Sequence, residues 1–112
     1  MHLINKIFNN EIIRTIWDKD SEKYYISVAD IVTVLTQSTR PRKYWSDLKK
    51  KLIEEGNEVS GKIGQLKLKA EDGKYRMTDV RDIEEMFRII ESIPSKNAEL
   101  LNSGWLVLVV RG

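Results

Sequence analysis

The stretch QLKLKAEDGKYRM, residues 65–77, constrains the fold more than any other part of this 112-residue chain. Apolar and polar residues alternate on both sides of Asp72-Gly73, a dipeptide favoured in two-residue type I′ turns, so the stretch predicts a β-hairpin. With that turn, Ala70 faces Tyr75 and Leu68 faces Met77 on an apolar side. Lys69 faces Arg76 and Lys67 faces Thr78 on the other side, which is basic. A like-charge pair such as Lys69 with Arg76 is unfavourable by roughly a few tenths of a kcal/mol in isolation. Beside phosphate it becomes useful.

A second hairpin is expected from the β-branched and aromatic runs Ile12 to Trp17 and Tyr24 to Val28, with Asp18 to Lys23 as the polar turn. Ser27 stands three residues before Asp30, a capping-box-like spacing, and Val28, Ile31, Val32 and Leu35 follow at helical intervals. A short helix over residues 28–36 follows from this. Pro41 suits the first turn of the next helix, which runs to Glu55 and stops at Gly56. Within it, Trp45, Leu48 and Leu52 face inward, and Arg42, Lys43, Lys49 and Lys50 lie on the opposite side. Tyr44 sits at the edge between them, placed to pack or to reach a phosphate with its hydroxyl. Asp47 and Lys51 have the spacing of an i,i+4 ion pair. Thr78 or Asp79 is the expected cap of a third helix, with Val80, Ile83, Phe87 and Ile90 on its buried stripe and Pro94 as its end. Ser95 is placed to cap a short fourth one. The predicted fold is a single-domain α+β arrangement of two β-hairpins with three to four short helices, rather than a βαβ unit.

Composition narrows the function. The chain is 41% hydrophobic and 32% charged with two prolines and six glycines, the make-up of a globular protein rather than a disordered one. It has no cysteine, which excludes disulfides and thiolate metal sites and favours a reducing compartment. MHLINKIFNN lacks the apolar core of a signal peptide, and no run approaches a membrane span. The expectation is a cytoplasmic protein without a membrane partner. The single histidine, His2, lies at a terminus expected to fray, so neither a histidine-based catalyst nor a metal site is expected. The carboxylate groupings of Asp82 with Glu84 or Glu85, and of Glu54 with Glu55, read as exposed helix positions. Asp79 and Asp82 also suit a helix N-terminus. Gly56, Gly61, Gly64 and Gly73 match no phosphate-binding loop. The reading is of a non-enzyme with no cofactor and no metal.

Charge gives the positive signal. The net charge of +2 conceals a segment, residues 40–76, that carries eleven basic and six acidic side chains. Two neighbouring elements in that segment, the helix after Pro41 and the hairpin around Asp72-Gly73, each present a basic face. Lysine and arginine contacts to phosphate supply most non-specific affinity for DNA. Trp17, Trp45 and Phe87 are assigned to the inward sides of their elements, where large aromatics usually serve the core.

The succession IIRTIWDKDSEKYYISVADIVTVLT, RPRKYWSDLKKKL, KLKAEDGKYRMTDV and FRIIESIPSKNAE resembles the Bro-N domain. That family comprises the N-terminal domains of baculovirus BRO proteins and of phage and prophage antirepressors. The resemblance runs from about Ile12 to Glu99 and lies in the order and spacing of the motifs. It implies a small α+β DNA-binding domain that serves transcription regulation in viral or prophage genomes. By position, Ser27, Val28, Ala29 and Asp30 match the family signature at the first helix, with Asp30 read as a cap rather than a contact. Relatives have Asn-Pro before the second helix where this chain has Arg40-Pro41, which removes a capping side chain and adds a cation. Relatives also read Phe-Lys-x-Trp-Leu-Ala-x-Val-Gly where this chain reads LLNSGWLVLVVRG. Codons exist for which a shifted frame reads Phe-Lys-stop-Trp-Leu-Ala-Arg-Val-Gly, so residues 100–112 are read as an atypical apolar tail left by a frameshift or truncation. If the tail is native, its apolar residues form a last strand.

Residues 1–99 are thus expected to form a DNA-binding domain, on double- or single-stranded DNA. Arg40, Arg42, Lys43, Tyr44, Lys49, Lys50, Lys67, Lys69, Lys74 and Arg76 are its expected contacts. Arg40 and Arg42 are the candidates for base edges, because a guanidinium pairs bidentately with guanine. The alternative is a protein-interaction module that captures a repressor without touching DNA.

Overall fold

The computed structural model describes residues 2–8, 10–56, 64–95 and 98. The Ile12 to Val28 region forms the expected hairpin, β2 (Glu11–Asp18) and β3 (Lys23–Ser27), paired antiparallel with Trp17 opposite Tyr24. Ahead of it the N-terminal residues form β1 (His2–Phe8), which pairs antiparallel with β2 from His2 opposite Trp17 to Phe8 opposite Glu11. The expectation of a frayed start is corrected: HLINKIF does not alternate, its apolar residues falling in adjacent pairs, and pairing along β2 holds it as a strand. Asn10, at φ 65°, sits in the left-handed region that asparagine tolerates in tight turns.

Helix α1 (Val28–Thr36) has the expected bounds, because Ser27 Oγ accepts from the Asp30 N–H at 3.4 Å and caps it. The Asp30 carboxylate has another partner. Arg14 donates to it from Nε at 2.7 Å, from Nη2 at 2.9 Å and from its backbone N–H at 2.9 Å. Helix α2 (Pro41–Glu54) starts at the proline, with Arg40 in the cap position making no side-chain cap.

The second hairpin comprises β4 (Gln65–Lys69) and β5 (Tyr75–Asp82). Strand β5 continues past Thr78 and Asp79, because Val80, Arg81 and Asp82 pair with Ser27, Ile26 and Tyr25 of β3. The third helix, α3 (Ile83–Glu91), is therefore capped by Asp82, whose Oδ1 accepts from the Glu85 N–H at 3.0 Å, and not by Thr78 or Asp79. Val80 belongs to the strand, and the buried face of α3 is Met86, Ile89 and Ile90. Of the expected helix after Ser95 the structure describes Ala98, whose N–H donates to Ser95 O at 3.4 Å, and the tail of residues 100–112 lies outside the described residues.

The two hairpins are thus not separate units. They join in one antiparallel sheet of order β1-β2-β3-β5-β4, and with three helices among the described residues the class is α+β. Strand alternation divides its apolar residues between two faces. Ile13 and Ile26 meet the helices, through Ile31, Val32, Trp45, Leu52, Met86 and Ile90. On the opposite face Ile16, Tyr25, Leu68 and Val80 form a smaller cluster. Trp45 is 4% exposed, as the inward assignment requires. Trp17 is only half-buried and packs on Tyr24, with ring centroids 4.8 Å apart. Phe87 is likewise half-buried, at the margin of the main cluster.

Candidate nucleic-acid interface

Asp79, on the helix-covered face of β5, joins the basic helix to the second hairpin. Its Oδ2 accepts from Trp45 Nε1 at 2.5 Å and from Lys49 Nζ at 3.2 Å, and its Oδ1 accepts from Gln65 Nε2 at 2.8 Å. Burial pushes the Asp79 carboxyl pKa up, but the hydrogen bonds from Trp45, Gln65 and Lys49 and the Lys49 charge outweigh it. The net result lies below the ordinary value. Lys49 Nζ lies 5.8 Å from the centre of the Trp45 ring, and Arg81 Cζ lies 5.6 Å from it. Both are cation–π distances. Arg81 is buried, and its Nη1 donates to Gly64 O at 2.9 Å and Val80 O at 2.7 Å. Nothing in the local pattern of residues 78–82 signalled this arginine as internal.

The turn of the hairpin is one residue longer than expected. The Gly73 N–H donates to Ala70 O at 3.0 Å and the Ala70 N–H to Lys74 O at 2.8 Å, with Gly73 at φ 83°. Glu71, Asp72 and Gly73 thus form a three-residue loop whose glycine takes the left-handed position. Pairing shifts by one: Lys69 stands opposite Tyr75, Leu68 opposite Arg76, Lys67 opposite Met77 and Leu66 opposite Thr78. The expected Lys69–Arg76 pair does not form. Because directly opposed residues share a face, one side carries Lys67, Lys69, Tyr75 and Met77, and the other Leu66, Leu68, Arg76 and Thr78. Arg76 instead forms an ion pair with Asp72 of the same loop. The backbone N–H of Lys74 and then Arg76 lower the Asp72 carboxyl pKa.

Alternation along β5 places Tyr75, Met77 and Asp79 on one face. The helices stop covering that face at Asp79, and beyond it Met77 is 51% and Tyr75 67% exposed. At about 3.3 Å per residue, Tyr75 lies roughly 13 Å along the strand from the point where α2 docks. The basic side of the hairpin and the docking point of the basic helix therefore share one face of the sheet. Arg14 braces the ribbon from behind, donating from Nη1 to Lys69 O at 3.2 Å.

The expected contacts on α2 divide by stripe. Arg42, Ser46, Lys49 and Ile53 recur at i, i+4, i+7 and i+11 and share the flank on which Lys49 reaches Asp79. Lys43, Asp47, Lys50 and Glu54 share another, of mixed sign. Asp47 pairs there with Lys43 at 3.5 Å rather than with Lys51. Both groups are more than half exposed, so that pair contributes only about 0.3–0.5 kcal/mol. Tyr44 is half-buried against the core. Arg40, Arg42, Lys50, Lys67, Lys69 and Lys74 are exposed, and none forms an ion pair with a described residue. Lys49 pairs with the part-buried Asp79, whereas Arg76 pairs with Asp72 at the surface, both of them exposed.

Among the described residues no group of three or more His, Asp or Glu is placed to hold a metal, and no helix is long and apolar enough to cross a membrane. No family model, curated protein or solved structure matches the chain.

Proposed function

We propose that this chain is a non-enzymatic, Bro-N-like DNA-binding domain of a cytoplasmic antirepressor-type regulator, serving transcription control in a phage, prophage or mobile element. The observation that carries the proposal is the shared face: Lys67 and Lys69 stand on the side of the sheet where α2 docks through Asp79. Exposed cations on one rigid surface neutralise neighbouring phosphates together and release their counterions. In this reading Lys67, Lys69 and Lys74 of the ribbon and Arg42 and Lys50 of α2 hold the DNA backbone. Lys43 and Tyr44 border that surface, and Arg40 is exposed at the N-terminal end of α2. Lys49 keeps the helix in place, and Arg76 orders the loop.

A mobility-shift titration at about 50 mM and 200 mM salt tests this. The expected result is steeply salt-dependent binding that the double reversal Lys67→Glu and Lys69→Glu abolishes. Binding indifferent to both salt and the reversal overturns it and favours a protein partner held by apolar contact.

A further inference from the structure

Two exposed apolar side chains on the ribbon are out of place if its only task is to meet phosphate. Tyr75 is 67% and Met77 51% exposed, on the same face as Lys67 and Lys69. Each is directly opposite a lysine: Tyr75 faces Lys69, and Met77 faces Lys67. The result is two rungs, each with one flat or polarizable group and one cation. Cations that follow a backbone beside aromatic faces on which bases stack are the recurring solution for binding unpaired strands.

We infer that this face takes single-stranded DNA, with an unpaired base stacked on Tyr75, a neighbouring base against Met77, and Lys69 and Lys67 on the adjoining phosphates. The inference rests on the DNA-binding reading and adds the state of the DNA. Spacing decides between the two states. Tyr75 and Met77 are two residues apart on one strand, about 6.7 Å, while stacked bases in a duplex rise about 3.4 Å. Two bases seated on these side chains are therefore unstacked from each other, as only an unpaired strand allows. A duplex hides its base faces, and an aromatic side chain reaches them only by prising a step apart. The ribbon side chains carry no such wedge supported from behind, because Tyr75 stands in solvent rather than on the core. Tyr75 also sits within two residues of the loop tip at Gly73, at the open end of the sheet, where a flexible strand has access from several directions.

Fluorescence anisotropy with a labelled 20-nucleotide thymidine strand, a hairpin duplex of equal charge and the matching RNA strand tests the assignment. The expected order is single-stranded DNA tightest. Tyr75→Ala should lower that affinity about 5- to 100-fold while leaving the duplex affinity within twofold, and Tyr75→Phe should restore it. The tyrosine is exposed, so folding of the variant is checked simply by its thermal melt. Equal or tighter binding of duplex, tighter binding of RNA, or a Tyr75→Ala effect shared equally by both DNAs overturns the inference while the DNA-binding reading stands. Absence of binding to every strand at low salt overturns both.

Discussion

Trp45 Nε1 donates to Asp79 Oδ2 at 2.5 Å, so a carboxylate on β5 tethers to the sheet the basic helix whose Trp45 and Leu52 pack in the core. Lys49 and Gln65 donate to the same carboxylate. Asp79→Ala strands all three donors, two of them part-buried, and is expected to destabilise the fold by about 2–3 kcal/mol in urea denaturation. Asp79→Asn keeps an acceptor for Trp45 and should lose only about 1 kcal/mol. The sign with pH follows from the lowered carboxyl. Its contribution is present above the ordinary value of 3.8 and is lost as pH falls through the lower folded value. The gap between wild type and Asp79→Asn should therefore shrink under acid. Equal, small losses for the two variants would show that the carboxylate does not anchor α2.

Register makes a separate prediction about cations. Lys67 and Lys69 lie on the exposed face, whereas Arg76 lies opposite Leu68 and pairs with Asp72. Lys67→Gln with Lys69→Gln should reduce the log–log salt slope of binding by about 1.4 for single-stranded DNA, two contacts at about 0.7 each. Arg76→Gln should leave that slope unchanged. If Arg76→Gln flattens the slope as much as the lysine pair does, the ribbon presents its other face to DNA.

What was legible in the sequence was local. Helix α1 shows its bounds because Ser27 caps it and its apolar residues repeat within nine positions; α2 does so because Pro41 opens it. Strand β1 is not legible because HLINKIF sets its apolar residues in adjacent pairs rather than in alternation, and only its pairing with β2 makes it a strand. Asp79 looked like a cap because aspartate suits helix starts, yet β3 holds residues 80–82 as strand from more than fifty positions away. The Arg14–Asp30 pair joins strand to helix over sixteen positions that no periodicity connects. The hairpin was found but misregistered by one residue, since Asp-Gly serves both a two-residue turn and a three-residue loop. That single step decided which cations share a face. It sets Arg76 on the face opposite Lys67 and Lys69 and puts Tyr75 beside Lys69.

The longer loop depends on Gly73 at φ 83°. A Cβ built there meets nothing within 4 Å, so any cost of substitution comes from backbone conformation alone. Gly73→Ala is expected to lose about 1 kcal/mol in chemical denaturation, and Gly73→Asn less, because asparagine tolerates the left-handed region. A type I′ turn would instead place Asp72 at positive φ as well. An Ala variant as stable as wild type would contradict the loop geometry.

Glu85 carries the opposite pH signature. Burial, and then the neighbouring Asp82, push its carboxyl pKa up from the ordinary 4.5. Its Oε2 is shielded from water and accepts no hydrogen bond among the described residues, although Arg81 Nε lies 3.5 Å away. An acid with a raised folded pKa favours the fold below its unfolded value and loses that contribution as pH rises through the folded one. Glu85→Gln keeps the shape and removes the ionisation. The variant should therefore gain on wild type between about pH 4 and pH 7, with its urea midpoint rising relative to wild type across that window. The gain is partial, because Arg81 then loses a facing charge while keeping Gly64 O, Val80 O and the Trp45 ring. A midpoint difference identical at both ends of the window would mean that Glu85 ionises as freely in the folded protein as in the unfolded chain.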